Sequence, residues 1–116
     1  MSIKRILTND RMSQIVIHGD TVYLAGQVAL TAPGESVAAQ TRAILDEIDK
    51  KLAEAGTDKS KALTATIWLS SMDDYAEMNE VWDAWVVPGQ TPCRACVESR
   101  LAAPQFTVEI GVVAAL

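Results

Sequence analysis

Cysteine is scarce in this sequence. Only Cys93 and Cys96 occur, too few for a disulfide framework and in keeping with a reducing compartment. No window approaches the roughly 18 consecutive apolar residues that a membrane helix requires, so no membrane partner is expected. Basic residues are in deficit, 10 lysines and arginines against 15 aspartates and glutamates, for a formal net charge of -5. That field repels phosphate backbones and no local cluster of Lys and Arg offsets it, so no nucleic-acid partner is expected. The opening residues Met1-Ser2-Ile3-Lys4-Arg5 lead into a polar stretch and not an apolar run, which predicts no secretory signal and a cytoplasmic location. Histidine occurs once, as His18, which leaves too few good ligands for a zinc site, and no metal is expected.

What the sequence does have is an ordinary globular composition, 49% apolar and 22% charged over 116 residues. That length predicts one domain spanning residues 1–116 with one core. Residues 14–18 are apolar and β-branched, Gly19-Asp20 supplies a two-residue turn, and Thr21 to Ala25 is strand-like again, which reads as a hairpin. After the breakers Thr31-Ala32-Pro33-Gly34, Ser36 is a plausible N-cap. Val37, Ile44, Leu45, Ile48 and Leu52 then recur at helical spacing, and Gly56 is a natural stop. From Ala62 to Ser70 the period changes to two, with Leu63, Ala65, Ile67 and Leu69 alternating with Thr64, Thr66, Trp68 and Ser70.

Ser71 with Asp74 resembles a capping box, and Tyr75, Met78, Trp82 and Trp85 follow the period of an amphipathic helix, with Met78, Trp82 and Trp85 the set expected in the core. Two more strands, Cys93 to Ser99 and Phe106 to Ala114, close the chain. The element order predicts an α+β fold: a mixed sheet of about six strands with two helices packed on one face. Since the strands around residues 62–70 and 106–114 are uncharged or apolar on nearly both faces, the uncovered face is expected to meet another subunit.

Two charges stand where strands should be apolar. Arg94 lies within the strand Pro92-Cys93-Arg94-Ala95-Cys96-Val97-Glu98, where Arg94, Cys96 and Glu98 share one face. Its guanidinium is either a structural ion pair or an anchor for a planar carboxylate. Glu109 stands between Val108 and Ile110 with no other ionisable group from Thr107 to the end. Burial of a carboxylate without a partner is costly, so Glu109 is either the partner of an arginine or a general acid-base group with a raised pKa. Cys93 and Cys96 match C-x-x-C, but a strand aims them at opposite faces, so the expected state is two packed thiols and not a redox pair. Gly26 marks a bulge or a close backbone approach.

These residues resemble a known family. Tyr23-Leu24-Ala25-Gly26-Gln27-Val28, Met78-Asn79-Glu80-Val81-Trp82, the segment from Pro92 to Glu98, and Val108-Glu109-Ile110 are similar, in order and spacing, to signature segments of the RidA (YjgF-type) reactive intermediate deaminases, with a look closest to the YoaB-like branch. The resemblance implies a chorismate-mutase-like fold assembled as a homotrimer with clefts between subunits. It implies hydrolysis of 2-imino acids to 2-oxo acids and ammonia without a cofactor. Arg94 would grip the substrate carboxylate, the backbone of Cys96 would touch the reacting group, Glu109 would position or activate water, and Gly26 and Asn79 would line the cleft. Met12 stands where the family commonly carries a tyrosine, so an aromatic wall and a hydroxyl donor are lost there. The alternative is a non-catalytic module in which the same cleft binds a 2-oxo acid as a sensor, which would need Arg94 but not a proton-transferring Glu109.

Overall fold

The computed structural model describes residues 1–116. Seven strands and two helices follow in the order β1 (Ile3–Thr8), β2 (Ser13–His18), β3 (Thr21–Leu24), β4 (Gln27–Val28), α1 (Val37–Ala55), β5 (Ala62–Leu69), α2 (Tyr75–Trp85), β6 (Cys93–Glu98) and β7 (Val108–Ala115). The sheet runs β1-β2-β3-β7-β5-β6, with the two-residue β4 also paired to β7. Only β5 and β6 are parallel, because α2 carries the chain back over the sheet between them as a crossover connection. The final strand β7 is inserted at the centre, antiparallel to both β3 and β5.

Local chemistry accounts for most boundaries. The Ser36 side chain accepts from the Ala39 N–H at 3.1 Å and caps α1, while Gly56 closes it in the left-handed region at φ 92°. Val37, Ile44, Leu45, Ile48 and Leu52 are all buried against the sheet. Fully burying a side chain such as Ile44 or Ile48 contributes roughly 1.5–3 kcal/mol, which fixes the rotation of α1 about its axis. The Ser71 side chain accepts from Asp73, two residues on, and caps a 3₁₀ turn over Met72–Asp74. The α-helix therefore starts at Tyr75, not directly after Ser71 as a capping box predicts.

The charges of β1 at Lys4 and Arg5 suit an edge strand that β2 alone pairs. One further expectation is corrected. In β5 the register shifts between Ala62 and Thr64. Ala62 takes the inward position, and Leu63, predicted to face inward with Ala65, turns outward at 50% exposure.

The sheet thus has two unlike faces. Ile15, Val22, Leu24, Ala65, Ile67, Leu69, Val108, Ile110, Val112 and Ala114 point toward the helices and belong to one core of 21 buried residues. The opposite face is left uncovered and carries Tyr23 on β3, Thr66 and Trp68 on β5, Glu109, Gly111 and Val113 on β7, and Cys93, Ala95 and Val97 on β6. Tyr23 and Val97 are each 46% exposed there.

Candidate active site

The register assigns Arg94 and Glu109 to different faces of the sheet. Arg94 on β6 pairs with Ala65 of β5, and Ala65 is buried toward the helices. Glu109 on β7 pairs with Trp68, which alternates with the buried Ile67 and Leu69 and so points to the uncovered side. Two half-sites result.

The first lies at the β6 edge beneath α2. Tyr75, Asn79 and Trp82 are spaced four and three residues apart, so one stripe of the helix meets Arg94. Arg94 Nη1 donates to Asn79 Oδ1 at 2.7 Å, and Nη2 donates to Tyr75 Oη at 3.0 Å. The guanidinium carbon also lies 5.5 Å from the Trp82 ring centroid and 5.7 Å from that of Tyr75, a cation–π arrangement on both. Those bonds use two of the five N–H donors of an arginine, which leaves three to meet a planar anion. Asn79 is thereby held against Arg94. Tyr75, at the start of the helix, is 39% exposed and holds the fork by its hydroxyl. Met78, Trp82 and Trp85 are buried, and Trp82 serves both the core and the guanidinium.

Cys96 shares this face and packs against the core, where burial pushes its thiol up from the ordinary value and Arg94 lowers it by less. Such a thiol stays protonated and is a poor nucleophile. Cys93 is exposed on the other face, so only one of the two thiols is packed, because β6 is an edge strand with nothing over its outer side. Glu98 shares a face with Arg94 but accepts from the Met72 N–H at 3.0 Å, tying β6 to the 3₁₀ turn.

The second half-site is on the uncovered face. Glu109 pairs with Val28 of β4 on one side and Trp68 of β5 on the other. A Cβ built on Gly26 would overlap Oε2 of Glu109 and lie 3.1 Å from its Cδ. Of the two readings of Gly26, close approach therefore holds: the carboxyl is laid against the glycine main chain, where any larger residue would displace it. β4, β5 and β7 contain no ionisable residue besides Glu109. Burial alone raises its pKa above the ordinary glutamate range. The structural alternative, an Arg94–Glu109 ion pair within the chain, does not form; the ion pairs present join Glu47 to Lys50 and Lys51.

Met12 occupies the turn between β1 and β2, with its N–H donating to Asn9 Oδ1 at 2.9 Å, and is 39% exposed. In the strand order it stands at the opposite edge of the sheet from Arg94. Its link is to the Glu109 side, since the Ala25 N–H donates to the Gln14 carbonyl at 2.9 Å and Gln27 Nε2 donates to Gln14 Oε1 at 2.9 Å. This carries the β2–β3 pairing to within two residues of Met12 and one of Gly26.

The raised Glu109 carboxyl has a measurable consequence. A folded pKa above the unfolded one favours the neutral acid, so its stabilising contribution is fully present below the unfolded pKa and is lost as pH rises through the folded pKa. Glu109→Gln, which mimics the neutral acid, should match the parent in Tm near pH ~4 and exceed it near pH ~7. Calorimetric scans across that range check this; parallel Tm curves would show that Glu109 is not held neutral by the fold.

Comparisons with known proteins cover the whole chain. The family model described as endoribonuclease L-PSP matches residues 2–116. A RutC family protein of Haemophilus ducreyi is 46% identical over 114 residues, covering 98% of this chain and 97% of the relative. The RutC family protein YoaB of Escherichia coli is 42% identical over 116 residues, the full length of both. Among solved structures, a member of the YjgF protein family from Neisseria meningitidis superposes with a TM-score of 0.95 at 49% identity, covering 99% of this chain and 95% of that one.

Proposed function

Since this chain belongs to the family that carries the YjgF, RutC and RidA names, we propose that it is a cytoplasmic deaminase that hydrolyses 2-imino acids to 2-oxo acids and ammonia, in clefts between the subunits of a homotrimer. The observation that carries this reading is the division of the site. A carboxylate anchor, Arg94 braced by Asn79 and Tyr75, lies under the helices at one sheet edge, while a half-buried carboxyl, Glu109 against Gly26, lies on the uncovered face. One chain cannot bring the two faces of its own sheet to one small substrate. The β6 edge of one subunit set against the uncovered face of the next would do so, and would also cover the apolar display of Tyr23, Trp68 and Val97.

The residue types suit the reaction. Two of the three N–H donors that Asn79 and Tyr75 leave free on Arg94 take the substrate carboxylate and orient the adjacent C=N bond. The imine enters protonated on nitrogen from solvent, and ionised Glu109 accepts a proton from water as the water oxygen bonds to the imine carbon, the C=N electron pair becoming the amine lone pair. The tetrahedral intermediate then collapses: Glu109 returns its proton to the amine nitrogen, the new hydroxyl passes its proton to the freed carboxylate as C=O forms, the C–N bond breaks with its pair on nitrogen, ammonia leaves, and the carboxyl gives up its proton to solvent. A carboxyl with a raised pKa exchanges protons near neutral pH more readily than an ordinary one. The imine carbon is already electrophilic, so the mechanism needs neither metal nor organic cofactor. The ribonuclease description attached to the family model is opposed by the net charge of -5, which disfavours approach of a polyanion.

The test generates 2-imino acids in place with an amino-acid oxidase and traps them with semicarbazide. The protein is expected to suppress trapping and to release 2-oxo acid and ammonia in equal amounts. Undiminished trapping at micromolar protein would refute the deaminase reading.

A further inference from the structure

Trp68 is the one large aromatic ring beside Glu109, and neither the motif residues nor the proposed chemistry assigns it a task. It is the direct cross-strand partner of Glu109, close enough for side-chain contact on the shared face. Its ring does not stand upright. A Cβ built on Gly111 would lie 3.5 Å from Trp68 Cζ3, 3.6 Å from Cη2 and 4.0 Å from the Gly26 Cα. The six-membered edge of the indole therefore lies over Gly111, next to Gly26. The Glu109 carboxyl leans over the same Gly26. Ring and carboxyl converge on one patch of bare main chain that two glycines leave open.

We propose that Trp68 is the positioning residue of this half-site: laid over Gly111, its ring closes one flank of the Glu109 carboxyl, holds it against Gly26 and keeps water from that side. The assignment rests on the reading of Glu109 as the group that handles water. It does not make Trp68 catalytic, since the indole neither gives nor takes a proton in the reaction. The other titratable groups that pairing and alternation put on the uncovered face are Tyr23, whose strand partner is Val113, Cys93, whose partner is Thr64, and, toward the far edge, His18, whose partner is Thr21, and Arg5, whose partner is Val16. None is a strand partner of Glu109, and β4, β5 and β7 add no other charge. Within the chain, the ring is thus the large apolar group that strand pairing sets beside the carboxyl.

Two readouts test this, one tied to turnover and one not. Trp68→Ala should lower kcat about tenfold and move the carboxylate limb of the pH–rate profile down by about one pH unit. Trp68→Phe, which keeps a flat apolar ring, should restore both. The Kd for an unreactive 2-oxo acid should be little changed, because its carboxylate is met by Arg94. Independently, the Glu109 side-chain carbon titrated by carbon-13 NMR should show a lower midpoint in Trp68→Ala than in the parent, with Trp68→Phe close to the parent. Light scattering on each variant shows whether the oligomer is intact; if Trp68→Ala disassembles, the comparison is made between Trp68→Phe and Trp68→Leu, where the aliphatic chain should lower the midpoint and the aromatic ring should not. An active parent whose Glu109 midpoint is the same in every variant overturns the inference and leaves the deaminase reading standing. A parent that fails to hydrolyse imines, but in which the midpoint still follows residue 68, refutes the deaminase reading and leaves Trp68 as the residue that sets Glu109.

Discussion

Replacing Glu109 with glutamine is expected to lower turnover of 2-imino acids by about 10² or more, the usual range for a general acid-base group, with binding of an unreactive 2-oxo acid left nearly intact. The amide keeps the shape that fits against Gly26 and retains hydrogen-bonding capacity, but it cannot accept a proton from water. The carboxylate of the ligand is met elsewhere, by a guanidinium already oriented by Asn79 and Tyr75. Since Glu109 makes no ion pair in the chain, its removal frees no buried cation, and a general collapse of stability is not expected. The semicarbazide assay gives the rate and calorimetry with a 2-oxo acid gives the affinity. Lost turnover with retained affinity distinguishes the hydrolase from a sensor module built on the same cleft. In a sensor the substitution would leave the working property of the site untouched, and unchanged turnover would remove Glu109 from the chemistry.

The chemistry of single strands and helices was legible in the sequence because it is written in local periods. Alternation placed Arg94, Cys96 and Glu98 on one face of β6, and they share it. The cap at Ser36, the stop at Gly56 and the buried stripe of α1 follow from residue types a few positions apart. The relation between strands was not legible. Alternation says which residues of β6 share a face and which residues of β7 do, but not which face of one matches which face of the other. That depends on β7 being inserted between β3 and β5, a pairing of residues far apart in the chain that no short period encodes. The separation of Arg94 from Glu109 was therefore hidden, and their pairing stayed open until the register was known. The role of Tyr75 was hidden for a similar reason. Helical spacing puts it in line with Met78, Trp82 and Trp85, but does not say that its hydroxyl meets Arg94 of β6. Leu63 escaped because a bulge resets the alternation without any Gly or Pro to announce it. Alternation set Trp68 apart from Ala65, Ile67 and Leu69, yet its lean over Gly111 is a matter of two glycines meeting from β7 and the segment before β4.

Mixing two inactive variants is expected to restore activity, and the amount restored reports how the site is divided. Arg94→Lys keeps the charge and most of the aliphatic stem but lacks the fork that grips a carboxylate with two parallel bonds, so alone it should lose most activity. Glu109→Gln alone should lose it as argued above. If each cleft takes its arginine from one subunit and its glutamate from the next, a cleft is intact whenever the Glu109→Gln chain supplies Arg94 and the Arg94→Lys chain supplies Glu109. Random co-assembly of equal amounts makes about a quarter of the clefts intact in any closed ring of identical contacts, and about a quarter of parental turnover should return. Purified mixed oligomers sharpen the result. A trimer holding both kinds of chain has one intact cleft, hence about a third of parental activity, whereas a mixed dimer would retain about a half. Co-expression with two different affinity tags and tandem purification isolates these species, and light scattering fixes their size. Mixed oligomers as inactive as either variant would place both residues of each site on one chain, which the opposite faces of the sheet oppose. The same outcome would dismantle the inter-subunit cleft while leaving the fold and the family of the chain untouched.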